Sequence, residues 1–325
     1  MKRLMIYGAT GYMGRMAAEY AVAQRLDIVL AGRNHDRLRA LAAQLNVPYR
    51  LFTPDTQAAQ SLEGISVLLN LAGPFAQTAD ALMRACIEAG VDYLDITAEI
   101  NVYRLAERLG AEAAESGVML LPGVGWDVVP TDCLAVHVAR RVHAPQSLNI
   151  ALQVAGSMSR GSALSVSEII GAGLLARIDG LLVATPDAQP RHFDFGYGPE
   201  LCAPLSFGDL VTGWHSTGIP NISMFVHFSG NPFPEGDLSQ LPEGPDAQQR
   251  DAHRARAVAE VTGADGTVAR SVIETVNGYT YTPIAAVEAA RRVLGGERRP
   301  GFETPAKLLG AGFAESIAGT TITDR

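Results

Sequence analysis

Short apolar runs alternate with amphipathic stretches along the first 121 residues. The stretches between them, for example 79–89 and 102–115, have helical periodicity. Strands that alternate with helices connect through right-handed crossovers into a parallel sheet covered on both faces. The pattern therefore predicts a doubly wound Rossmann fold, whose ligand lies at the carboxyl ends of the strands. The predicted strands are 4–7, 28–31, 49–52, 67–71, 93–96 and 118–121.

Beyond residue 128 the pattern is less regular. A long polar loop is expected at 231–245, and loops of that length are typically mobile or functional. A chain of 325 residues exceeds the usual size of one domain, so a second domain is expected. The strands predicted there are 147–154, 210–214, 223–228 and 268–276, and the helices are 131–141, 164–175, 251–262 and 284–294.

The first predicted strand runs into a glycine turn with the spacing G-x-x-G-x-x-G. Gly8 would let the turn leave the strand, and Gly11 would let the backbone approach a pyrophosphate. Gly14 would let the following helix pack closely on the sheet. Surface turns use the same residues, but the position directly after the first strand favours a dinucleotide site.

The end of the second predicted strand carries Arg33, followed by Asn34. A domain that prefers NAD usually has an acidic residue there for the ribose 2′-hydroxyl, whereas an arginine suits a 2′-phosphate. NADP(H) is therefore favoured over NAD(H). The alternative interpretation is a solvated arginine at a strand end.

Two further strand ends carry candidate residues. The loop Ala72-Gly73-Pro74-Phe75 follows the fourth strand and suits the nicotinamide half of a cofactor, or is an ordinary turn. Asp95 and Glu99 follow the fifth strand. Either carboxylate suits catalysis, but Asp95 equally suits a buried cap and Glu99 a helix N-terminal charge.

Composition narrows the class of protein. A net charge of −8 and the absence of a basic run argue against a nucleic-acid partner. The three cysteines form no CxxC pair, and no apolar segment is long enough to span a bilayer, so a cytoplasmic protein is expected. With only Lys2 and Lys307, a Tyr-x-x-x-Lys reductase pair and a lysine Schiff base are disfavoured. No His/Cys cluster has metal-ligand spacing, so no metal is expected.

Hydride transfer by a bound cofactor remains as the favoured mechanism, and it needs a proton donor from the protein. Asp127 is favoured, because it follows a strand end near the expected cofactor and burial would raise its pKa. It equally suits a cap for the helix that starts near Pro130. Glu99 and Tyr279 are further candidates. His215 is a fourth candidate donor, a substrate-binding residue, or a core or rim histidine of the second domain.

The segment 157–162 precedes an apolar helical stretch and is rich in hydroxyls. Hydroxyls and backbone N–H groups at a helix start suit an anion, which here would be part of a substrate. Arg160 and Ser162 are therefore candidate substrate-binding residues. A plain helix cap with an exposed arginine is the alternative.

Several motifs in order resemble the saccharopine dehydrogenase-like oxidoreductases, especially the short members that include trans-acting enoyl reductases. The resemblance covers most of the first 135 residues. It departs from the family pattern at Ala98, Trp126, Thr131 and Arg160. The motifs that carry it are GATGYMG, AGRN, NLAGPF, ACIEAGVDYLDITAE, the Gly125-Trp126-Asp127 segment before Pro130, and GFETP near the C-terminus.

The resemblance implies an NADP-binding Rossmann domain at 1–127, to which a C-terminal segment from about 290 to 325 returns. It also implies an α+β substrate domain with a mixed sheet at 128–289. Asp127 matches the aspartate of the family's G-[FL]-D-x-x-P motif. The positions that match the family's cofactor site are Gly8, Thr10, Gly11, Tyr12, Met13, Gly14, Arg33, Asn34, Gly73, Pro74 and Phe75.

The sequence favours an NADP-dependent oxidoreductase that reduces a C=N or an activated C=C bond of a small or lipid-like molecule. A non-catalytic NADP-binding sensor or scaffold is the alternative from another class. A structural α/β module without a nucleotide would require the glycine turn to be coincidental. The expected partner is a small-molecule substrate, and a homodimer is left open.

Overall fold

Two structural units share the chain. The structure is a computed structural model that describes residues 2–229 and 242–325. The loop expected at 231–245 therefore falls mostly outside the described residues. The first unit contains the chain up to Thr97 together with Asn101–Gly125 and Thr282–Glu303, and the second contains Ala98–Ile100, Trp126–Tyr281 and Thr304–Arg325.

Sixteen strands and ten α-helices are formed by the described residues. The strands are β1 (Leu4–Tyr7), β2 (Ile28–Gly32), β3 (Tyr49–Leu51), β4 (Val67–Asn70), β5 (Asp92–Asp95), β6 (Met119–Leu121), β7 (Pro145–Ala155), β8 (Leu175–Ile178), β9 (Leu181–Ala184), β10 (Arg191–Asp194), β11 (Pro199–Pro204), β12 (Asn221–Ser229), β13 (Ala255–Gly263), β14 (Val268–Thr275), β15 (Gly301–Phe302) and β16 (Thr321–Asp324). The helices are α1 (Tyr12–Ala23), α2 (His35–Leu45), α3 (Ala79–Ala89), α4 (Ile100–Glu115), α5 (Val129–Ala139), α6 (Arg160–Gly171), α7 (Asp209–Thr217), α8 (Ala247–Asp251), α9 (Gly278–Gly295) and α10 (Pro305–Leu309).

The first unit is built on a parallel sheet in the order β15-β6-β5-β4-β1-β2-β3. Tyr7 lies opposite Ala31 on one side and Asn70 on the other, so β1, β2 and β4 end at the same edge. All four residues of β1 are buried, as expected for a central parallel strand. The prediction of a doubly wound Rossmann sheet is confirmed.

An ion pair with a buried carboxylate fixes the last strand of this sheet. The guanidinium of Arg298 donates to both carboxylate oxygens of Asp92, at 2.5 and 2.7 Å, and to the Gly117 carbonyl. Asp92 also accepts a hydrogen bond from the Met119 amide. Because Arg298 lies three residues before β15, these bonds hold β15 beside β6.

The second unit has a mixed sheet in the order β10-β11-β12-β7-β13-β14-β16. In addition, β8 pairs with β12, and β9 pairs with β8. The pairing of β7 with β12 is parallel, and the other pairings are antiparallel. The helix α5 packs on β13 and on α7. The prediction of a second α+β unit on a mixed sheet is also confirmed.

Two elements of the second unit differ from the sequence prediction. The helix predicted at 251–262 is the strand β13, in which Ala257, Ala259 and Val261 are fully buried between β7 and β14. Its alanines favour a helix, but tertiary packing decides the outcome. The strand predicted at 210–214 is the helix α7, which buries Leu210 and Val211.

The last long helix begins earlier than predicted. The side chain of Asn277 accepts a hydrogen bond from the Tyr279 amide, so α9 starts at Gly278 rather than at 284. Pro283 is accommodated inside the helix.

The C-terminal segment is divided between the two units. The sequence assigns 290–325 to the first domain as one piece, whereas the contacts group 304–325 with the second unit. The Ala306 amide donates to the buried carboxylate of Asp132 at 2.8 Å, and β16 pairs with β14. These bonds lie within the second unit.

We predict that Arg298→Gln destabilises the protein by about 3 kcal/mol, because it leaves the carboxylate of Asp92 buried without its charge partner. Urea unfolding measures the change. Arg84→Gln is the control, since Arg84 pairs with Asp80 on the surface of α3 and its loss should cost less than about 1 kcal/mol. Equal effects of the two substitutions would contradict the prediction.

Candidate functional site

The turn between β1 and α1 has no room for side chains at two glycines. Gly8 has a φ of +79°, and a Cβ there would lie 2.8 Å from the Ala72 nitrogen. A Cβ on Gly14 would lie 2.1 Å from the Gly8 carbonyl oxygen. The turn therefore packs directly against the loop after β4 and against the start of α1.

The N-terminus of α1 has the features of an anion site. Gly11 caps the helix without a side-chain hydrogen bond, and no acidic residue lies in the first turn. The first N–H groups of a helix lack intrahelical acceptors and carry a partial positive charge. Around them Gly11 is exposed, and Thr10, Tyr12 and Met13 are half-buried. The backbone of this turn is thus accessible to a bound phosphate.

Arg33 is exposed directly after β2, at the sheet edge where the glycine turn begins. The Gly8 amide donates to the Ala31 carbonyl at 2.9 Å, which joins the turn to β2. Burial raises the pKa of Tyr7 to about 12, and the positive charge of Arg33 opposes that rise. Arg33 therefore lies close enough to the end of β1 for its charge to act there.

Asn34 has a local structural role. Its side-chain oxygen accepts a hydrogen bond from the Arg37 amide at 3.0 Å and caps α2. A role in cofactor binding would have to coexist with that cap.

A buried polar network holds the loop after β4. The amide nitrogen of Asn70 donates to the hydroxyls of Thr78 and Tyr93, and its oxygen accepts from the Ala72 amide. The Thr78 hydroxyl donates to the Ala72 carbonyl at 2.9 Å. The loop exposes Gly73, half-buries Ala72 and Pro74, and buries Phe75.

The network continues to Asp95 at the end of β5. One oxygen of this carboxylate accepts from the Tyr93 hydroxyl, and the other accepts from the amides of Thr97 and Gly123. Asp95 is fully buried. Of its two interpretations, the structure supports the buried cap. Sequence reasoning did not assign Tyr93 or Thr78 to this network.

In the second unit, Tyr279 joins α9 to the start of α6. Its hydroxyl accepts from the Ser159 amide at 2.8 Å and donates to the Ser162 hydroxyl at 2.9 Å. Ser159 caps α6 by accepting from the Ser162 amide. Burial raises the pKa of Tyr279, and the bond to Ser162 partly opposes that effect.

Glu99 contacts the same helix one turn later. It is buried, and its carboxylate accepts a hydrogen bond from the Ser165 hydroxyl at 2.9 Å. Ser159, Ser162 and Ser165 are spaced by three residues, which places them along one side of a helix start. This spacing is the signal by which Ser159 and Ser165 were identifiable in the sequence.

Asp127 does not cap α5. The N-cap is Val128, without a side-chain bond, and only the backbone carbonyl of Asp127 accepts from Thr131. Although the residue as a whole keeps partial exposure, burial of its carboxyl raises the pKa to about 6. The charge of Asp127 in turn raises the pKa of Tyr279, so the two groups are close enough to interact.

Of the remaining two candidates, Arg160 is the first residue of α6 and His215 lies on α7. Arg160 is half-buried, its amide donates to the Glu243 carbonyl at 3.2 Å, and its guanidinium makes no ion pair with a residue that the structure describes. His215 is in the last turn of α7. Burial raises the pKa of Asp132, and the charge of His215 is among the effects that lower it, so the structure places His215 near Asp132.

Residues 2–229 and 242–325 contain neither a cluster of metal ligands nor a helix that could cross a membrane. No three His, Cys, Asp or Glu side chains converge as metal ligands. No helix has both the length and the apolar character to cross a membrane.

Residues 4–121 match the sequence family described as the saccharopine dehydrogenase NADP binding domain. The match covers the glycine turn, Arg33 and the loop after β4. It supports a nicotinamide cofactor and, over this part of the chain, agrees with the resemblance that the motifs indicate.

Curated relatives include trans-acting enoyl reductases of mycobacteria. The enzyme of Mycobacterium tuberculosis is 31% identical over 148 residues, which are 42% of this chain and 35% of the relative. That of Mycobacterium ulcerans is 33% identical over 149 residues, again 42% of this chain and 35% of the relative. The matched part thus spans about a third of the length of these relatives.

A solved structure shares the fold of the whole chain. Saccharopine dehydrogenase (L-Glu forming) of Saccharomyces cerevisiae superposes with a TM-score of 0.68 at 14% identity, over 100% of this chain and 99% of the other. At that identity the likeness establishes the fold alone.

We predict that Gly14→Ala abolishes or strongly weakens dinucleotide binding and destabilises the first unit by about 1–3 kcal/mol, because its Cβ has no space beside the Gly8 carbonyl. Gly295→Ala at the end of α9 is the control, since nothing lies within 4 Å of its added Cβ. Thermal unfolding and NADPH titration measure both effects. The control should retain binding and be as stable as the wild type or slightly more stable.

Proposed function

We propose that the protein is an NADP-dependent oxidoreductase, because residues 4–121 match the saccharopine dehydrogenase NADP binding domain. It transfers a hydride between the nicotinamide and a small or lipid-like substrate. The observation that carries the proposal is the tight glycine turn at the open N-terminus of α1, beside the loop after β4.

Residues of the first unit hold the cofactor in this proposal. The backbone of Gly8, Gly11 and Gly14 binds the diphosphate, and the exposed guanidinium of Arg33 binds the 2′-phosphate. The loop Ala72–Phe75, held by Asn70, faces the nicotinamide half. The bound cofactor supplies the hydride, and the protein supplies orientation and a proton.

Asp127 is the proposed proton donor. A carboxyl with a pKa of about 6 is protonated often enough near neutral pH to act as a general acid and can be reprotonated from water. The hydrogen bonds of Tyr279 to Ser159 and Ser162 fix the phenol beside it. Glu99, held by Ser165, is the second carboxyl of this region.

The substrate is proposed to carry a C=N or an activated C=C bond. The name of the mycobacterial relatives, enoyl reductase, favours the C=C alternative. The hydroxyls at the start of α6 and the guanidinium of Arg160 suit an anionic group of the substrate. The assay that separates the two chemistries follows NADPH oxidation with an enoyl thioester and, in parallel, with a keto acid plus an amine.

The non-catalytic sensor remains the alternative from another class. A sensor needs the cofactor-binding turn but has no use for a buried acid of raised pKa. The environment of Asp127 therefore favours the enzyme.

We predict that Arg33→Ala weakens NADPH binding by about tenfold to a hundredfold, because a charge-assisted contact to the 2′-phosphate is lost. NADH binding should change by less than about twofold. Fluorescence titration with each cofactor measures the effect. Arg39→Ala, an exposed position further along α2, is the control and should leave both affinities unchanged. Equal losses for NADPH and NADH would remove the assignment.

We predict that Asp127→Asn retains NADPH binding but loses most turnover, and that wild-type kcat/KM for reduction falls as the pH rises above about 6. The Asp127 carboxyl also affects stability, and the direction of that effect does not depend on its role in turnover. Because the folded-state pKa is raised from 3.8, the wild type loses stability as the pH rises from about 4 to about 6, by about 3 kcal/mol.

The asparagine variant lacks that loss. It should therefore be the more stable protein at pH 8, with the difference vanishing near pH 4. Unfolding in urea at the two pH values measures this difference. Full turnover in the variant would contradict the catalytic role.

A further inference from the structure

A cavity lies in the second unit, at the end of β7 and β12. Its volume is about 430 Å³, within the range of small-molecule sites. It opens where β7 leaves the sheet, next to the start of β13 and the turn before β11. Its polar lining includes Gln153, Tyr197, Glu200, His253, Arg254 and Arg256.

One wall of this cavity carries two guanidinium groups. Arg254 and Arg256 both pair with Glu274, one with each carboxylate oxygen, so a single negative charge serves two guanidinium groups. Arg254 also donates to the Gly319 carbonyl, and Arg256 stacks over the Tyr197 ring at 5.4 Å. Among the described residues, Glu274 is the one ion-pair partner of Arg256. Its remaining donors are therefore available to a ligand.

The floor of the cavity has an unsatisfied amide. Gln153 is 6% exposed, and its side-chain oxygen has no hydrogen-bond partner among the described residues. Its side-chain nitrogen donates to the Tyr197 hydroxyl. A buried acceptor without a partner is unfavourable. A bound molecule that donates to this oxygen would complete its hydrogen bonding.

Tyr197 lies beside this amide, in a turn between two glycines. The residue is 50% exposed and lies between Gly196 and Gly198, both with positive φ. The two glycine amides donate to the same oxygen of Asp194, and these bonds lower the pKa of its carboxyl. The backbone of the turn is thus anchored while the phenol remains at the surface.

We propose that this cavity binds a small anion that carries a carboxylate or a phosphate group. Arg256 is its main charge partner, and Arg254 and His253 lie in the same wall. A hydroxyl or N–H group of the ligand donates to the Gln153 side-chain oxygen. The carboxylate of Glu200 lies in the cavity lining as well, 3.8 Å from the His227 imidazole, and it opposes anion binding.

The test measures binding of inorganic phosphate and of succinate to the full chain by isothermal titration. Either anion binding alone identifies its own group as the ligand chemistry, and both binding supports the general site. Arg256→Gln should weaken binding at least about tenfold, the equivalent of one charge-assisted hydrogen bond. Absence of binding of both anions up to about 10 mM would overturn the proposal.

Arg191→Gln is the matched control. Arg191 lies on β10, stacks over Phe193 and pairs with Glu260, and it does not line the cavity. Anion affinity should stay within about twofold of the wild type in this variant. Equal losses in both arginine variants would show a general charge effect and reject the site.

Glu200→Gln should change the anion affinity in the opposite direction. It therefore still tests the proposal if Arg256→Gln does not fold. Removing the negative charge from the lining should tighten anion binding by a few-fold, an effect that structural damage does not produce. Unchanged or weaker binding in this variant would contradict the proposal. Thermal unfolding serves as the measure of intact folding in all three variants.

Discussion

The close approach of three backbone segments is the constraint on which the first unit depends. The turn after β1 touches the loop after β4 at Gly8 and the start of α1 at Gly14, with no space for a Cβ at either position. This contact brings the N-terminus of α1 to the sheet edge that also carries Arg33. One steric condition thus places the diphosphate, 2′-phosphate and nicotinamide-side candidates on the same edge.

The close approach of these segments does not by itself fix the loops after β4 and β5. A buried hydrogen-bond network holds these loops. Asn70, Tyr93 and Asp95 satisfy one another and the neighbouring amides at the ends of β4 and β5. In a low-dielectric interior such bonds are strong only when every member has a partner, and leaving one unpaired is costly. The network therefore specifies a single conformation for the loop that starts at Ala72.

The sequence predicted the first unit well because its strands are short and buried and its turns carry glycine. It predicted the second unit less well because local preference and tertiary packing disagree there. The alanines of β13 favour a helix, although Ala257, Ala259 and Val261 alternate as a strand requires. In the same way, the glycines of the cofactor turn were visible as a motif, whereas the network of Asn70 joins residues 23 positions apart.

Asp127 and Tyr279 are two titratable groups of the second unit whose pKa values differ because of their environments. Burial brings the pKa of Asp127 to about 6, so this carboxyl changes charge near neutral pH. Its negative charge then raises the pKa of Tyr279 further above the ordinary value of a phenol. Tyr279 consequently keeps its proton and remains a donor to Ser162 while Asp127 titrates. Of these two groups, Asp127 has the pKa near neutral pH, and the hydrogen bonds of Tyr279 join it to the start of α6.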